Sequence, residues 1–313
     1  MKNINILIIG SSGLVGNGIA RYYCEKKIKV VGISFTGKNK FKNLYFKEYK
    51  NINIVNKESL KKIEEIIVLH KINSIINCAA LIPNKLKHNK INKSLERKMM
   101  KVNSYSNLSL NQICKKYDVK FYIYLSTLRI SMLYKSFKKK DIKNNIDNLY
   151  IHSKIVAEKL LNNLRTKKKN PKIIILRITS PYGYLMNTNA IVPTIIKRIR
   201  TGKKIFVNGD GSRRQYLTFV EDIAKFSLKQ IQQNYKSGTY NFFNPEAPSV
   251  REVINSINKV FFKKNFFLIN YNKNDNNLND LIQKFKNKNI YNFKFTSLNS
   301  GLKIINSTNY KYE

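Results

Sequence analysis

Over the first 180 residues, short apolar runs rich in Ile and Val alternate with longer stretches whose apolar positions recur every three or four residues. That is the pattern of parallel strands joined by crossover helices. It predicts strands at Asn5–Ile9, Lys29–Ile33, Ser74–Asn77, Phe121–Leu125 and Lys172–Ile178. Between them it predicts helices at Leu14–Lys26, at Glu58–His70, with Leu60, Ile63 and Ile67 on one face, and at Met99–Tyr117, where Val102, Leu110 and Ile113 are similarly spaced. The fold class expected is α/β, built on a doubly wound parallel sheet.

The texture changes after Ile178. Pro181, Gly183 and Pro193 break the chain, a helix is predicted at Val192–Arg200, and Gly202, Gly209 and Gly211 mark turns. The division expected is a nucleotide-binding unit over 1–178, with 206–240 returning to it. Residues 179–205 and 241–313 would then form a smaller, mixed C-terminal substrate-binding region. From Phe262 to Glu313 the chain is rich in Asn and Lys, with a short terminal helix expected at Leu298–Ile305. The sequence shows no internal repeat.

A chain of 313 residues buries a full core without staples. Cys24, Cys78 and Cys114 are widely spaced and lack a Cys-x-x-Cys pair, so neither a disulfide framework nor a thiolate metal site is expected. The apolar stretch Ile6–Ile9 is too short for a signal-peptide core, and no later run approaches the ~18 residues of a membrane span. A soluble protein of the reducing cytoplasm is expected. The formal charge of +41 invites a nucleic-acid reading. The excess, however, is almost all Lys, accompanied by abundant Asn, Ile, Phe and Tyr and no Trp, as A/T-rich codons supply. Lys is spread through every predicted element, with short runs at Lys138–Lys140 and Lys167–Lys169, and does not gather on one aromatic-lined face. A solvated basic surface is therefore expected, with no specific nucleic-acid partner and with anionic small molecules attracted to it.

Gly10-Ser11-Ser12-Gly13-Leu14-Val15-Gly16 lies between the first strand and the first helix. Glycines there let the backbone approach a pyrophosphate at a helix N-terminus, the arrangement of a Rossmann-type dinucleotide site. A free ribose 2′-hydroxyl usually meets an acidic residue about 20 positions on, at the end of the second strand, and here that place holds Ser34. Ser34 does not repel a 2′-phosphate, and Lys38 and Lys40 follow it, so either NAD or NADP is expected, with NADP favoured.

Tyr150 and Lys154 are four apart, so on a helix both project from one face. A cation ~4 Å from a phenol, at an effective dielectric of ~20, contributes roughly 4 kcal/mol, or about three pKa units. Lys154 is thus expected to make Tyr150 a base useful near neutral pH. Thr127, after the apolar strand that runs into Leu125-Ser126, stands at the C-terminal sheet edge where ligands bind, and its hydroxyl donates or accepts.

With these in order, the sequence resembles the extended short-chain dehydrogenase/reductases, in particular the NAD-dependent epimerase/dehydratase branch that acts on nucleotide sugars. The likeness runs through the glycine turn, Asn77-Cys78-Ala79-Ala80, Asn103, Ser126-Thr127, Tyr150 to Glu158 and Arg177 to Gly183. It continues through Gly209-Asp210-Gly211-Ser212-Arg213-Arg214-Gln215, Phe219 to Ala224, Gly238 to Asn241 and Ser249 to Glu252. The resemblance implies a cofactor site of Gly10, Ser12, Gly13, Leu14, Val15, Gly16, Ser34, Asn53, Ile54, Cys78, Ala79, Ala80, Asn103, Tyr150 and Lys154. Tyr150 would be the acid/base, Lys154 would bind the nicotinamide ribose and lower the tyrosine pKa, and Thr127 would hold the reacting sugar oxygen. A homodimer through the helices around Val102 and Val156, and a role in surface-polysaccharide precursor synthesis, are implied in the same way.

The chain departs from that pattern in places. Asn53 and Asn56 stand where aspartates are frequent, and Ser180 replaces an asparagine that reaches substrate. Gln215 takes the place of a diphosphate-binding arginine, leaving Arg213 and Arg214 as stand-ins. Dehydratases of the family carry an Asp-Glu pair directly after the threonine, whereas this chain has Leu128 and Arg129, so elimination lacks a second acid/base. No Cys stands at this strand end to act as the base of an epimerase-reductase, and His88 and His152 are read as surface residues. What remains is redox chemistry at one sugar carbon: a nucleotide-sugar epimerase acting at C4 or, next, an NADPH-dependent 4-ketoreductase. The rival from another class is a non-catalytic cofactor-sensing or nucleic-acid-binding protein, against which the set Thr127, Tyr150 and Lys154 argues.

Overall fold

The computed structural model describes residues 4–36, 46–82, 91–133, 145–167, 169–184, 186, 190–262, 269–272 and 293–307. Lys38, Lys40, His88 and the run Lys138–Lys140 lie outside them.

Seven strands form one parallel sheet: β1 (Asn5–Ile9), β2 (Lys29–Ile33), β3 (Lys47–Tyr49), β4 (Ser74–Asn77), β5 (Phe121–Thr127), β6 (Lys172–Ile178) and a late strand Gly238–Phe242. Its order is the late strand, β6, β5, β4, β1, β2, β3. The chain thus leaves β1 in one direction and returns to lay β4 on its other side, which makes the β1/β4 edge the switch point where ligands bind in such sheets. The central strands are buried on both faces, which is why their sequences run continuously apolar instead of alternating.

Helices cover both faces. On one, α1 (Leu14–Glu25) packs beside a later helix, α8, spanning Val220–Gln232; Ile19, Ala20, Ile223 and Phe226 close a core over Ile6, Ile8, Ile123 and Leu176. On the other, α2 (Lys57–Leu69), α4 (Ser106–Lys116) and α6 (Ile146–Arg165) bury Ile63, Ile67, Leu110, Ile113, Ala157 and Leu161 against Leu7, Ile75, Tyr122 and Ile173. The single helix predicted at Met99–Tyr117 is instead α3 (Lys93–Met100), a π-helical turn Lys101–Tyr105 and α4. Such one-turn bulges recur at functional sites. The polar strand β3 (Lys-Glu-Tyr) pairs only with β2 at the sheet edge and carries no apolar run by which it could be predicted.

The smaller region holds β7 (Pro181–Tyr182), α7 (Ile191–Arg200), β8 (Ile205–Asn208), β9 (Thr218–Phe219), α9 (Val250–Phe261), a strand Ile269–Asn272 and a terminal helix Leu298–Ser307. Its own core gathers Val192, Ile195, Phe219, Val253, Ile257, Leu302 and Ile305. Within the stretch 206–240, α8 and the strand Gly238–Phe242 belong to the sheet layers, while β8 pairs with Ile269–Asn272 in the smaller region. Among the described residues no helix is long and apolar enough to cross a membrane.

Candidate active site

A cavity of about 1520 Å³ opens along the C-terminal edge of the sheet at the switch point. That exceeds the ~300–1,000 Å³ of a single small-ligand pocket, and so has room for two ligands side by side. Its floor is the glycine turn. Gly10 takes φ +82°, and a Cβ there would lie 2.9 Å from the Ala79 nitrogen. At Gly16 a Cβ would stand 2.3 Å from the Gly10 carbonyl oxygen. The turn and the Cys78–Ala79 segment just after β4 therefore touch backbone to backbone, and α1 begins against the turn without a side chain between. Gly13 caps α1 with no side-chain hydrogen bond and no acidic residue in the first turn, which leaves N–H groups and a positive helix end facing the cavity wall formed by Ser12, Gly13, Leu14, Val15 and Gly16. This backbone cradle fits the pyrophosphate of a dinucleotide.

The adjoining wall comes from the ends of β2 and β4 and from the loop after β3: Ser34, Asn53, Ile54, Cys78, Ala79 and Ala80 all line the cavity. The buried Ser34 hydroxyl has no hydrogen-bond partner. The nearby carboxylate of Glu48 accepts from the Ser11 hydroxyl at 2.6 Å and is not part of the wall. Asn56 is taken up as the N-cap of α2, accepting from the Glu58 N–H at 2.8 Å. Asn103 is off the cavity wall. It is wholly buried, its Oδ1 accepts from Leu81 N at 2.7 Å, and its Nδ2 donates to Leu81 O at 3.0 Å and to the Ser153 hydroxyl at 2.9 Å. It ties the β4 loop to the Tyr150 helix, so its geometry is that of a positioning residue.

Thr127, at the end of β5, and Tyr150 and Lys154, on α6, all reach the cavity. β5 continues two residues beyond the predicted Leu125 because β6 pairs with it as far as Thr127 opposite Ile178. The Lys154 ammonium donates to the Leu125 carbonyl at 2.8 Å, lies 4.5 Å from the centre of the Tyr124 ring and 5.9 Å from that of Tyr150. Burial pushes Lys154 down to about 7, against the opposing pull of Cys78 and Glu158. Burial pushes Tyr150 up to about 12, and the cation that draws it back is Arg129. The expectation that Lys154 itself brings the Tyr150 phenol towards neutrality is thus corrected. Lys154 is held on a strand carbonyl and is itself desolvated, and the cation that opposes the upward push on Tyr150 is Arg129. Cys78 is on the wall, but burial pushes its thiol up to about 12, so it is inert as an acid/base near neutral pH.

Of the residues expected at the substrate, Ser180 and Arg214 line the large cavity and Arg213 does not. Arg213 lies on a second cavity of about 260 Å³, bounded also by Thr194, Arg198, Phe206 and Asn208, where its buried Nε has no partner. Gln215 lines both cavities and so marks where they adjoin. Sequence reasoning missed four wall cations, Arg97, Lys98, Lys101 and Arg129, the two lysines because lysine is so common in this chain. Arginine was the available signal. Only ten of the 59 basic residues are Arg, yet Arg97, Arg129 and Arg214 line the large cavity and Arg198 and Arg213 the small one. No Asp, Glu or His is on the large cavity's wall among the described residues.

A doubly wound sheet with a glycine cradle at its switch point, facing a Thr, Tyr and Lys set, defines a dinucleotide-dependent enzyme. The chain belongs to the NAD dependent epimerase/dehydratase family, whose profile matches residues 6–244. It is 24% identical over 273 residues to the dTDP-4-dehydro-6-deoxyglucose reductase of Escherichia coli, covering 83% of this chain and 82% of that protein. Among solved structures, the ADP-L-glycero-D-manno-heptose-6-epimerase of Helicobacter pylori matches with a TM-score of 0.74 at 22% identity, over 98% of this chain and 96% of that one. The UDP-glucose 4-epimerase of Thermotoga maritima matches with a TM-score of 0.69 at 19% identity, over 96% and 97%. At these identities the structural likeness establishes the fold.

Proposed function

We propose that this protein is an NAD(P)-dependent nucleotide-sugar epimerase that oxidises and re-reduces one carbon of the hexose, C4. The observation that carries the reading is the composition of one wall. Thr127, Leu128, Arg129 and Tyr150 line the same cavity, and no carboxylate or imidazole accompanies them among the described lining residues. Elimination of water and deprotonation at carbon both require a second proton-transfer group, whereas redox at a hydroxyl-bearing carbon requires one.

The backbone of the Gly10–Gly16 turn would hold the pyrophosphate, Ser34 and the Asn53–Ile54 loop the adenosine, and Lys154 the nicotinamide ribose. Bound there, the nicotinamide supplies reversible hydride transfer. Tyr150 takes the proton from the sugar hydroxyl and returns it to the carbonyl oxygen, and Thr127 fixes that oxygen by a hydrogen bond. The wall cations, with no carboxylate among them, draw in a diphosphate. The second cavity meets the first at Gln215 and offers the nucleotide a place beside Arg213, with the hexose next to Tyr150. The unpartnered Ser34 hydroxyl, on a wall with no carboxylate among its described residues, favours a cofactor bearing a 2′-phosphate.

A 4-ketoreductase is the second reading. It is favoured by the reductase to which the chain is similar and by the same Ser34 environment. Purified protein and Tyr150→Phe, incubated with UDP-, GDP- and dTDP-hexoses and with NAD or NADPH, decide the matter by NMR of the sugar. Epimer formed without net cofactor consumption supports the epimerase. Stoichiometric NADPH oxidation on a 4-keto sugar supports the reductase. An unchanged rate in Tyr150→Phe, or no turnover of any sugar nucleotide, sinks both and favours a cofactor-sensing role. The loss expected in Tyr150→Phe is on the order of 10²–10⁴-fold, with cofactor affinity retained.

A further inference from the structure

Arg129 stands two residues beyond Thr127, opening helix α5 (Arg129–Leu133) on the cavity wall, and its backbone N–H donates to the Thr127 hydroxyl at 3.3 Å. On the reading above Thr127 and Tyr150 hold the oxygen of the reacting carbon, so a side chain rooted beside Thr127 on the same cavity wall is placed to meet what the neighbouring ring carbons carry. Its guanidinium is half-exposed, and its ion pair is an open one, with Asp147 at 3.6 Å, that residue being 45% exposed. Such a pair contributes little. Asp147 also lies in the first turn of α6, where the helix end favours a carboxylate with or without Arg129. Among the described residues the guanidinium is therefore available to a ligand. Its side chain also acts at the reacting end of the cavity, since it is the cation that opposes the upward push on Tyr150.

Charge and chemistry then select the ligand group. A chain whose basic residues are overwhelmingly Lys places an arginine here, and the planar fork of Arg matches a carboxylate by two parallel hydrogen bonds as a lysine does not. The described lining residues include no carboxylate, and the one beside Arg129, Asp147, stays off the wall and is 45% exposed to solvent. On the same reading Arg213 and Arg214 offer the diphosphate separate cationic partners. We propose that Arg129 is a specificity-determining residue that binds a carboxylate on the substrate's sugar, so that the substrate class is a nucleotide-linked uronic acid. The inference rests on the nucleotide-sugar reading above and narrows it.

The test compares α-D-glucuronate 1-phosphate with α-D-glucose 1-phosphate, which share the phosphate and differ at C6, by calorimetric titration into the NADPH-saturated protein. The wild type is expected to bind the glucuronate about tenfold more tightly, as a charge-assisted bidentate contact supplies. Arg129→Met is expected to bring the ratio to about one, and Arg129→Lys, which keeps the charge but not the fork, to about threefold. Equal affinities in the wild type, a preference that survives Arg129→Met, equal weakening of both compounds by that change, or binding of neither compound overturns the assignment. In those cases Tyr150-dependent turnover of neutral sugar nucleotides preserves the broader reading, and its absence removes that too.

Discussion

Arg177 on β6 grips Glu158 on α6 through three hydrogen bonds, Nη2 to Oε2 at 2.6 Å and Nε to the two oxygens at 3.0 and 3.2 Å. Glu158 also accepts from the Ser126 hydroxyl at 2.6 Å, and Arg177 donates to Ser131 on α5 at 2.9 Å. One ion pair thereby ties β6 to β5, α5 and α6, the three elements that present Thr127, Arg129, Tyr150 and Lys154. The Glu158 side chain is only 5% exposed, so removing one partner strands a charge that water barely reaches. Glu158→Ala is expected to cost about 2–4 kcal/mol by urea unfolding, somewhat below the fully buried case because Arg177 is 22% exposed. Glu158→Leu with Arg177→Met should recover most of it, and a double variant as unstable as the single one would contradict the account.

The buried Lys154 has a signature in pH. Its folded-state value is about 7 against an ordinary 10.5, so between those values the unfolded chain holds a proton that the folded chain has released. Stability from this group therefore rises with pH across that window and is lowest below about pH 7. The full difference amounts to at most about 5 kcal/mol. Lys154→Met is expected to melt above the wild type at pH 6, with the gap closing towards pH 10. A gap that stays constant would show that Lys154 is not desolvated as described.

The glycine turn separates steric from conformational effects. Gly16→Ala drives a methyl into the Gly10 carbonyl at 2.3 Å, and is expected to weaken cofactor binding about tenfold or more. Gly202→Ala, at φ +65° with nothing within 4 Å, is expected to cost about 1 kcal/mol and leave cofactor titrations unchanged. Quenching of protein fluorescence by NADPH distinguishes the two, and equal binding by both variants would refute the cradle.

Asp222, fully buried in the first turn of α8, accepts from Thr296 N at 2.7 Å and from its hydroxyl at 2.6 Å. Glu246 accepts from Leu298 N at 3.1 Å, so the terminal helix is tied down where it enters. Asp222→Ala is expected to cost roughly 2–4 kcal/mol. Amide exchange should rise first at Leu302 and Ile305, and uniform exchange across the chain would argue against a local tether.

The sequence by itself determined four strands of the sheet and the spacing of Tyr150 and Lys154. The ends of β1, β2, β4 and β6 fall where the apolar runs fall, because strands buried on both faces must be apolar throughout. The Gly10–Gly16 turn and the four-residue step from Tyr150 to Lys154 are local constraints, so they read directly from spacing. Tertiary structure alone decided the rest. β3 exists only through its pairing with β2, and the π-helical turn sets Asn103 between Leu81 and Ser153. Whether Lys154 is charged, and whether Arg129 or Lys154 is the cation felt by Tyr150, depends on how much water reaches each group. Desolvation and Coulomb forces act across space between residues distant in sequence, and no periodicity along the chain encodes them.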